Sequence, residues 1–154
     1  TALRIGDGEA FLIDESYTAN PASIRAALAT LAGIETGAKG RRIAVLGDMK
    51  ELGAAGETLH RELADAVAAN GIDRVFAVGP LMAHLFEALP VPVRGAAGLA
   101  AEDVTDAVLA TLRPGDAVMV KGSNSMRMVR IVEAVKARYA VAPDPREASL
   151  NAVR

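Results

Sequence analysis

The hydrophobic pattern of this chain alternates between short apolar runs and longer segments whose apolar residues recur at helical spacing. A short, uninterrupted apolar run is typical of a strand that is covered on both faces. We predict strands at residues 3–5, 10–13, 43–46, 75–78, 91–93 and 117–120. We predict helices at residues 21–32, 57–70, 81–89, 101–112 and 125–139.

The clearest helix signal begins at Asn20 and Pro21. Asn is a favoured N-cap, and Pro at the first helical position lacks only an N–H group that the helix does not need. Gly33 ends the pattern. The apolar residues between them lie on one face and are Ile24, Ala27, Leu28 and Leu31.

Strands and helices that alternate along a chain predict an α/β fold, here with an open, mostly parallel, Rossmann-like sheet and helices on both faces. Residues 6–9 separate the first two strands and predict an antiparallel N-terminal hairpin. Pro92 cannot donate a hydrogen bond within a sheet, so we expect the strand around it at an edge. We expect one domain over residues 1–140 and a tail, with two prolines and no clear period, over residues 141–154.

Composition and charge exclude several classes of protein. The 154 residues include no Cys, which excludes disulfides, thiolate nucleophiles and Cys-ligated zinc. The net charge of −2 gives no electrostatic argument for binding nucleic acid. No apolar run reaches the roughly 18–20 residues of a membrane span, and the N-terminus has no signal-peptide pattern. We therefore expect a soluble domain in the cytoplasm.

Three predicted strands lead into a glycine, and these glycines are Gly47, Gly79 and Gly122. The carboxyl ends of parallel strands meet at one edge of an open sheet, and ligands bind there. The loop at residues 14–20 joins this edge if its strand also runs parallel to the others. Together these loops carry Asp14, Glu15, Asn20, Asp48, Glu51, Lys121, Ser123, Asn124 and Ser125.

Helix capping and solvation alone could account for these polar residues. His60 and His84 have no partner four residues away, so we expect no metal site in the chain. The sequence lacks a G-x-x-x-x-G-K-[ST] phosphate-binding loop, a dinucleotide fingerprint and a G-x-S-x-G nucleophile turn. The residues by themselves indicate a ligand-binding α/β domain without catalytic residues.

Three segments nevertheless resemble the signatures of one enzyme family. Residues 12–21 (LIDESYTANP) are similar to the D-D/E-S-Y-N-A-N-P signature of the Mur ligases that add D-alanyl-D-alanine to the cell-wall precursor. Residues 44–53 (AVLGDMKELG), followed by Leu59 and His60, resemble that family's V-L-G-D-M-x-E-L-G and L-H run. Residues 120–127 (VKGSNSMR) resemble its V-K-G-S-x-S-M-R segment. The three segments occur in the family's order.

The resemblance implies that this chain is the C-terminal domain of such a ligase. The family uses ATP and Mg²⁺, and its phosphate-binding loop, catalytic lysine and magnesium ligands belong to a central domain. An N-terminal domain binds the UDP end of UDP-N-acetylmuramoyl-tripeptide. ATP phosphorylates the tripeptide's terminal carboxylate, and the amine of D-alanyl-D-alanine then attacks the acyl phosphate. Both other domains would be partners of this one, and we expect this chain alone to be inactive.

The resemblance also implies roles for individual residues. Either Asp14 or Glu15 matches the acidic residue that contacts the ATP ribose in related ligases. Thr18 replaces an Asn of the usual signature. Lys121 would be a partner for a carboxylate or a phosphate. The residues expected to orient the incoming dipeptide are Asn20, Asp48, Met49, Ser123 and Asn124.

Two other interpretations remain open. A sibling Mur ligase or a folylpolyglutamate-type ligase would add a different amino acid. A stand-alone binding module of the same fold would sense a small anion or a nucleotide without catalysis, and the missing phosphate-binding loop favours it if the native chain has only these residues.

Overall fold

The computed structural model describes residues 1–37 and 39–141, so nearly all of the expected tail lies outside the described residues. The strands are β1 (Ala2–Ile5), β2 (Gly8–Glu15), β3 (Arg42–Gly47), β4 (Arg74–Val78), β5 (Arg94–Gly98) and β6 (Ala117–Lys121). The helices are α1 (Pro21–Ala32), α2 (Gly56–Ala69), α3 (Met82–Ala88), α4 (Glu102–Thr111) and α5 (Val129–Tyr139). The division between domain and tail at residue 140 stays a prediction.

The six strands form one sheet in the order β1-β2-β6-β3-β4-β5. Only the β1–β2 pairing is antiparallel, and the pairs from β2 to β5 are all parallel. The predicted α/β class, with its mostly parallel sheet and N-terminal hairpin, is confirmed. The last strand along the chain, β6, lies between β2 and β3 at the centre of the sheet.

The hairpin turn is shorter than the predicted four-residue turn. Gly8 pairs with Ile5 and Glu9 pairs with Arg4, so only Gly6 and Asp7 remain outside the strands. Gly6 has a φ of 58°, which suits a tight two-residue turn between twisted strands.

Two hydrophobic clusters cover the two faces of the sheet. Helices α4 and α5 contribute Val104, Val108 and Ile131, with their neighbours, to the first cluster. Helices α1, α2 and α3 pack against the other face, and their apolar stripes form the second cluster. Strands β4 and β6 contribute to both clusters because successive side chains of a strand point to opposite faces. This double coverage explains their uninterrupted apolar runs.

The predicted strand around Pro92 is wrong. Val91–Val93 forms a 3₁₀ turn, and the edge strand is β5, directly after it. Pro92 fixes its own φ and has no N–H group for a ladder, which suits a turn better than a strand. The sequence of β5, RGAAG, contains no run of large apolar residues that would predict a strand. A Cβ atom at Gly95 would lie 2.7 Å from the Phe76 ring, so β5 carries a glycine where that ring packs.

The predicted start of the last helix, at residue 125, is also wrong. Asn124–Met126 forms a 3₁₀ turn, and α5 begins at Val129. Arg127 separates the two with a left-handed φ of 53°. A single left-handed residue cannot continue a right-handed helix, so the segment changes direction there.

A buried ion pair stabilises the opposite edge of the sheet, where the parallel strands begin. The Arg41 guanidinium donates from Nη2 to Asp116 Oδ2 at 2.9 Å and from Nε to Asp116 Oδ1 at 3.3 Å. The backbone N–H groups of Arg41 and Arg113 each donate to the same carboxylate at 2.9 Å. Asp116 therefore ties the segment before β3 to the loop before β6.

Across the described residues, no helix is both long and apolar enough to cross a membrane.

Candidate functional site

The carboxyl ends of β2, β6, β3 and β4 meet at one edge of the sheet, which we call the rim. Strand β2 runs parallel to β6, with Glu15 paired to Lys121, so the condition for the loop at residues 14–20 to join the rim is met. All three family-like segments, which lie far apart along the chain, end at this edge. The rim is thus the part of the fold that gathers the candidate residues.

The two neighbouring carboxylates at the end of β2 are in different situations. Asp14 Oδ1 accepts hydrogen bonds from the Ser16 N–H group at 3.0 Å and from Ser16 Oγ at 2.6 Å, so it holds the turn that leaves the strand. Glu15 Oε2 lies 3.5 Å from Lys121 Nζ, and 35% of the Glu15 side chain is exposed. Lys121 is buried, with its side chain 6% exposed. Glu15 therefore presents a partly exposed carboxylate, and the buried Lys121 ammonium group beside it helps to fix its position.

Asn20 closes the N-terminus of α1 as the sequence predicts. Its Oδ1 accepts the Ser23 N–H group at 2.8 Å, and Ser23 Oγ accepts the Asn20 N–H group at 2.9 Å. This reciprocal capping box engages the amide oxygen of Asn20. The Nδ2 group is the part of the exposed side chain that could donate to a ligand.

Asp48 connects two strand ends and is only 1% exposed. Its carboxylate accepts the N–H groups of Met82 at 2.6 Å and Leu81 at 3.2 Å, so it caps α3 from a different loop. Gly79 lies directly beneath it, with a φ of 110°, and a Cβ atom there would approach the Asp48 carboxyl carbon to 2.3 Å. The carboxylate that we expected to orient the dipeptide is thus engaged with backbone.

Met49 is fully buried, and its side chain belongs to the cluster beneath α1, α2 and α3. Its N–H group donates to His60 Nε2 at 2.9 Å, and His60 Nδ1 lies 2.6 Å from the Gly56 carbonyl oxygen. This pairing places the ring proton on Nδ1, because the carbonyl can only accept. Sequence reasoning missed this role: the nearest signal was the Leu59-His60 pair of the resemblance, which does not say what the ring contacts.

Replacing His60 by Ala should destabilise the domain by about 2–4 kcal/mol, because two buried backbone groups lose their partner and a cavity forms. His84→Ala is the matched control, since His84 is partly exposed and, among the described residues, its ion pair is with the exposed Glu57 at 3.6 Å; we expect a change within about 0.5 kcal/mol. Urea unfolding of both variants measures the difference. Equal losses would contradict a structural role for the His60 ring.

The loop after β6 brings the third segment to the rim. A Cβ atom at Gly122 would lie 2.4 Å from Met128 Cγ, so glycine lets Met128 pack under the loop. Ser123 Oγ and Ser125 Oγ lie 3.1 Å apart, and the Asn124 side chain is exposed. Hydroxyl and amide groups here can donate to or accept from a ligand.

A cleft of about 300 Å³ lies beside this loop. It separates the loop after β5 from the 3₁₀ turn before α5, and its volume is at the lower end of the range for ligand pockets. Sequence reasoning did not assign a role to the residues that line it, although Arg127 belongs to a family-like segment. The lining includes Leu99, Glu102, Ser125, Met126, Arg127 and Arg130.

The rim carboxylates do not fit a magnesium site by themselves. Mg²⁺ needs near-octahedral oxygen ligands, and the Asp48 and Asp14 carboxylates already accept hydrogen bonds from protein groups. Within the part of the chain that the structure describes, no group of three or more His, Asp and Glu side chains could hold a metal ion. The rim can instead offer the partly exposed Glu15 carboxylate to a hydroxyl donor.

A family model supports the resemblance. The model for the Mur ligase, glutamate ligase domain, matches residues 4–124. The UDP-N-acetylmuramoyl-tripeptide–D-alanyl-D-alanine ligase of Bacillus subtilis is 34% identical over 125 residues, which cover 79% of this chain and 27% of that protein. The ligase of the same name from Escherichia coli is 35% identical over 125 residues, which cover 81% and 26%. This chain therefore spans about a quarter of the length of these relatives.

Solved structures show the same fold. The MurF ligase of Thermotoga maritima in complex with ADP matches with a TM-score of 0.68 at 24% identity, over 88% of this chain and 30% of that one. MurF from Acinetobacter baumannii matches with a TM-score of 0.71 at 23% identity, over 88% and 29%. With the family model matched from β1 to the loop after β6, the chain belongs to the Mur ligase family and corresponds to its C-terminal, glutamate ligase domain.

Proposed function

We propose that this chain is the C-terminal domain of an ATP-dependent ligase that joins D-alanyl-D-alanine to UDP-N-acetylmuramoyl-tripeptide in cytoplasmic peptidoglycan synthesis. One observation carries the proposal. The three segments that resemble the family are separated by up to about 100 residues along the chain, yet all three lie at the rim. The names of the curated relatives support the choice of dipeptide and tripeptide.

In this proposal the chemistry occurs between domains. Phosphoryl transfer from ATP activates the tripeptide carboxylate, the dipeptide amine attacks the resulting acyl phosphate, and inorganic phosphate leaves. The central domain supplies the phosphate-binding loop, the catalytic lysine and the ligands of Mg²⁺, which stabilises the charge on the transferred phosphoryl group. The N-terminal domain binds the UDP group. The rim closes over the central domain, excludes water from the acyl phosphate and holds the amine in line.

The geometry favours Glu15 over Asp14 as the group that contacts the ATP ribose. Asp14 accepts two hydrogen bonds from Ser16, whereas Glu15 is partly exposed and is held by Lys121. A carboxylate at the rim can accept hydrogen bonds from both ribose hydroxyl groups. Lys121 then acts mainly through Glu15, as a positioning residue, because its own ammonium group is buried.

For the dipeptide, we propose direct contacts from the side chains of Asn20, Ser123 and Asn124. Each is at least partly exposed at the rim. Asp48 and Met49 serve the same site indirectly, because Asp48 fixes the β4–α3 loop and the Met49 N–H group is tied to α2. Unchanged KM values for the dipeptide in Asn20→Ala and Ser123→Ala would contradict this assignment.

Replacing Glu15 by Gln in the full-length enzyme should raise the KM for ATP about 10-fold, because a charge-assisted hydrogen bond to the ribose is lost. The KM for the dipeptide should stay within about 2-fold. Steady-state phosphate release at varied ATP measures the first value, and release at varied dipeptide measures the second.

Asp14→Asn is the matched control, since its amide oxygen can still accept the Ser16 N–H group. We expect its KM for ATP to stay within about 2-fold of the parent enzyme. The opposite ranking of the two variants would assign the ribose contact to Asp14.

The proposed activity itself is tested on the full-length gene product that carries this chain. Phosphate release should require ATP, UDP-N-acetylmuramoyl-tripeptide and D-alanyl-D-alanine together, and mass spectrometry should show a pentapeptide product. Release that depends on a single amino acid instead of the dipeptide would indicate a sibling ligase. A gene product no larger than this 15.9 kDa chain would favour the stand-alone binding module.

A further inference from the structure

The cleft beside the β6–α5 loop is lined by one carboxylate and two guanidinium groups, from Glu102, Arg127 and Arg130. Two of its lining residues form an ion pair, with Arg130 Nη1 3.8 Å from Glu102 Oε2, so these two charges offset each other. Among the described residues, the Arg127 guanidinium forms no ion pair with a carboxylate. The cleft therefore has one cation, Arg127, whose charge can be matched by a ligand.

The backbone holds Arg127 at this position at an energetic cost. Its φ of 53° is left-handed, which costs a non-glycine residue roughly 1–2 kcal/mol. The Arg127 N–H group donates to the Asn124 carbonyl at 3.1 Å, and the Arg127 carbonyl accepts the Arg130 N–H group at 3.0 Å. Glycine would adopt this turn without that cost, so the turn alone does not require an arginine.

The walls of the cleft indicate the kind of anion. Leu99 is 71% exposed on one side, and Met126 is partly buried on the other. Small alkyl groups next to an anionic group would cover this apolar surface, whereas a nucleotide phosphate would leave it in water. Arginine matches a carboxylate with two parallel hydrogen bonds.

We propose that this cleft binds the free carboxylate of the incoming dipeptide, with Arg127 as the contacting residue and Leu99 and Met126 against the methyl groups. This inference rests on the proposed function and names a substrate contact within it. Ser125 lines the cleft and lies 3.1 Å, Oγ to Oγ, from Ser123. Because an extended dipeptide spans about 7 Å, a carboxylate held here lets the amine reach towards the rim.

The experiment compares D-alanyl-D-alanine with its C-terminal amide, which lacks the negative charge, as substrates of the full-length ligase. We expect the parent enzyme to have a KM at least 10-fold lower for the acid. Arg127→Gln should raise the KM for the acid about 10- to 100-fold, because a charge-assisted contact is lost. The same variant should leave the KM for the amide nearly unchanged, so the preference for the acid disappears.

Two further variants separate this role from a merely structural one. Arg127→Lys keeps the positive charge and should restore part of the preference for the acid. Arg138→Gln, at the far end of α5 in an exposed position, should behave like the parent enzyme.

Three results would overturn the inference. The first is an unchanged acid-to-amide ratio in Arg127→Gln. The second is a raised KM for ATP in that variant with the ratio intact, which would assign the arginine to a nucleotide phosphate. The third is a parent enzyme that uses acid and amide equally. In all three the enzyme still ligates the dipeptide, whereas failure of the proposed function would abolish ligation in the parent enzyme itself.

Discussion

Replacing Asp116 by Ala should lower the free energy of unfolding by about 3–5 kcal/mol, because it leaves a mostly buried guanidinium without its counter-charge. The Arg41 side chain is only 16% exposed and the Asp116 side chain is not exposed at all. The substitution also removes the acceptor of the Arg41 and Arg113 N–H groups at the start of two central strands. Urea unfolding, followed by circular dichroism, measures the loss.

Asp106→Ala is the control for this variant. Asp106 is an exposed aspartate on α4, and surface substitutions of this kind change stability within about 0.5 kcal/mol. Asp116→Asn should fall between the two, since an amide keeps one acceptor but loses the charge. If Asp116→Ala lowers the free energy of unfolding by less than about 1 kcal/mol, the ion pair and its backbone hydrogen bonds do not stabilise this edge of the sheet.

Replacing Gly79 by Ala should destabilise the domain by about 4 kcal/mol, because a left-handed backbone and a steric overlap add together. The φ of Gly79 is 110°, and the added Cβ atom would lie 2.3 Å from the Asp48 carboxyl group. To relieve that overlap, Asp48 would have to leave the N–H groups of Leu81 and Met82. Thermal unfolding of the variant measures the combined cost.

Gly53→Ala isolates the backbone contribution. Gly53 also has a positive φ, of 60°, but its added Cβ atom would have no neighbour within 4 Å. We expect a loss of about 1 kcal/mol there. A double variant, Gly79→Ala with Asp48→Ala, should lose less than the sum of the single losses, since the second change removes the overlapping carboxylate. Strict additivity would show that the overlap is not the cause.

The elements that the sequence predicts well are those whose signals are local. Asn20 and Pro21 mark the start of α1 through interactions within one helical turn, and the structure confirms the cap. The strand β5 has no such signal, because its alternating small residues fit a neighbour, Phe76, that is distant along the chain. The start of α5 depends on the left-handed backbone of Arg127, and an arginine in the sequence does not predict that conformation.

The candidate site shows the same division between local and distant information. The residues that approach the rim could be predicted, because strand ends are visible in the hydrophobic pattern. The partners of those residues could not. Asp48 has the residue type of a ligand contact, yet its carboxylate caps a helix that begins more than 30 residues later. The same holds for His60, whose ring binds the Met49 N–H group from another loop.

The central place of β6 has a consequence for how this domain forms during synthesis. Phe11 pairs with Ala117 and Arg42 also pairs with Ala117, so β2 and β3 touch the same late strand and not each other. A chain emerging from the ribosome therefore has a gap in its sheet until about 100 more residues after β2 have been made, and contacts of such long range form slowly. Nascent chains that stop before residue 117 would expose two unpaired strand edges, which are templates for aggregation.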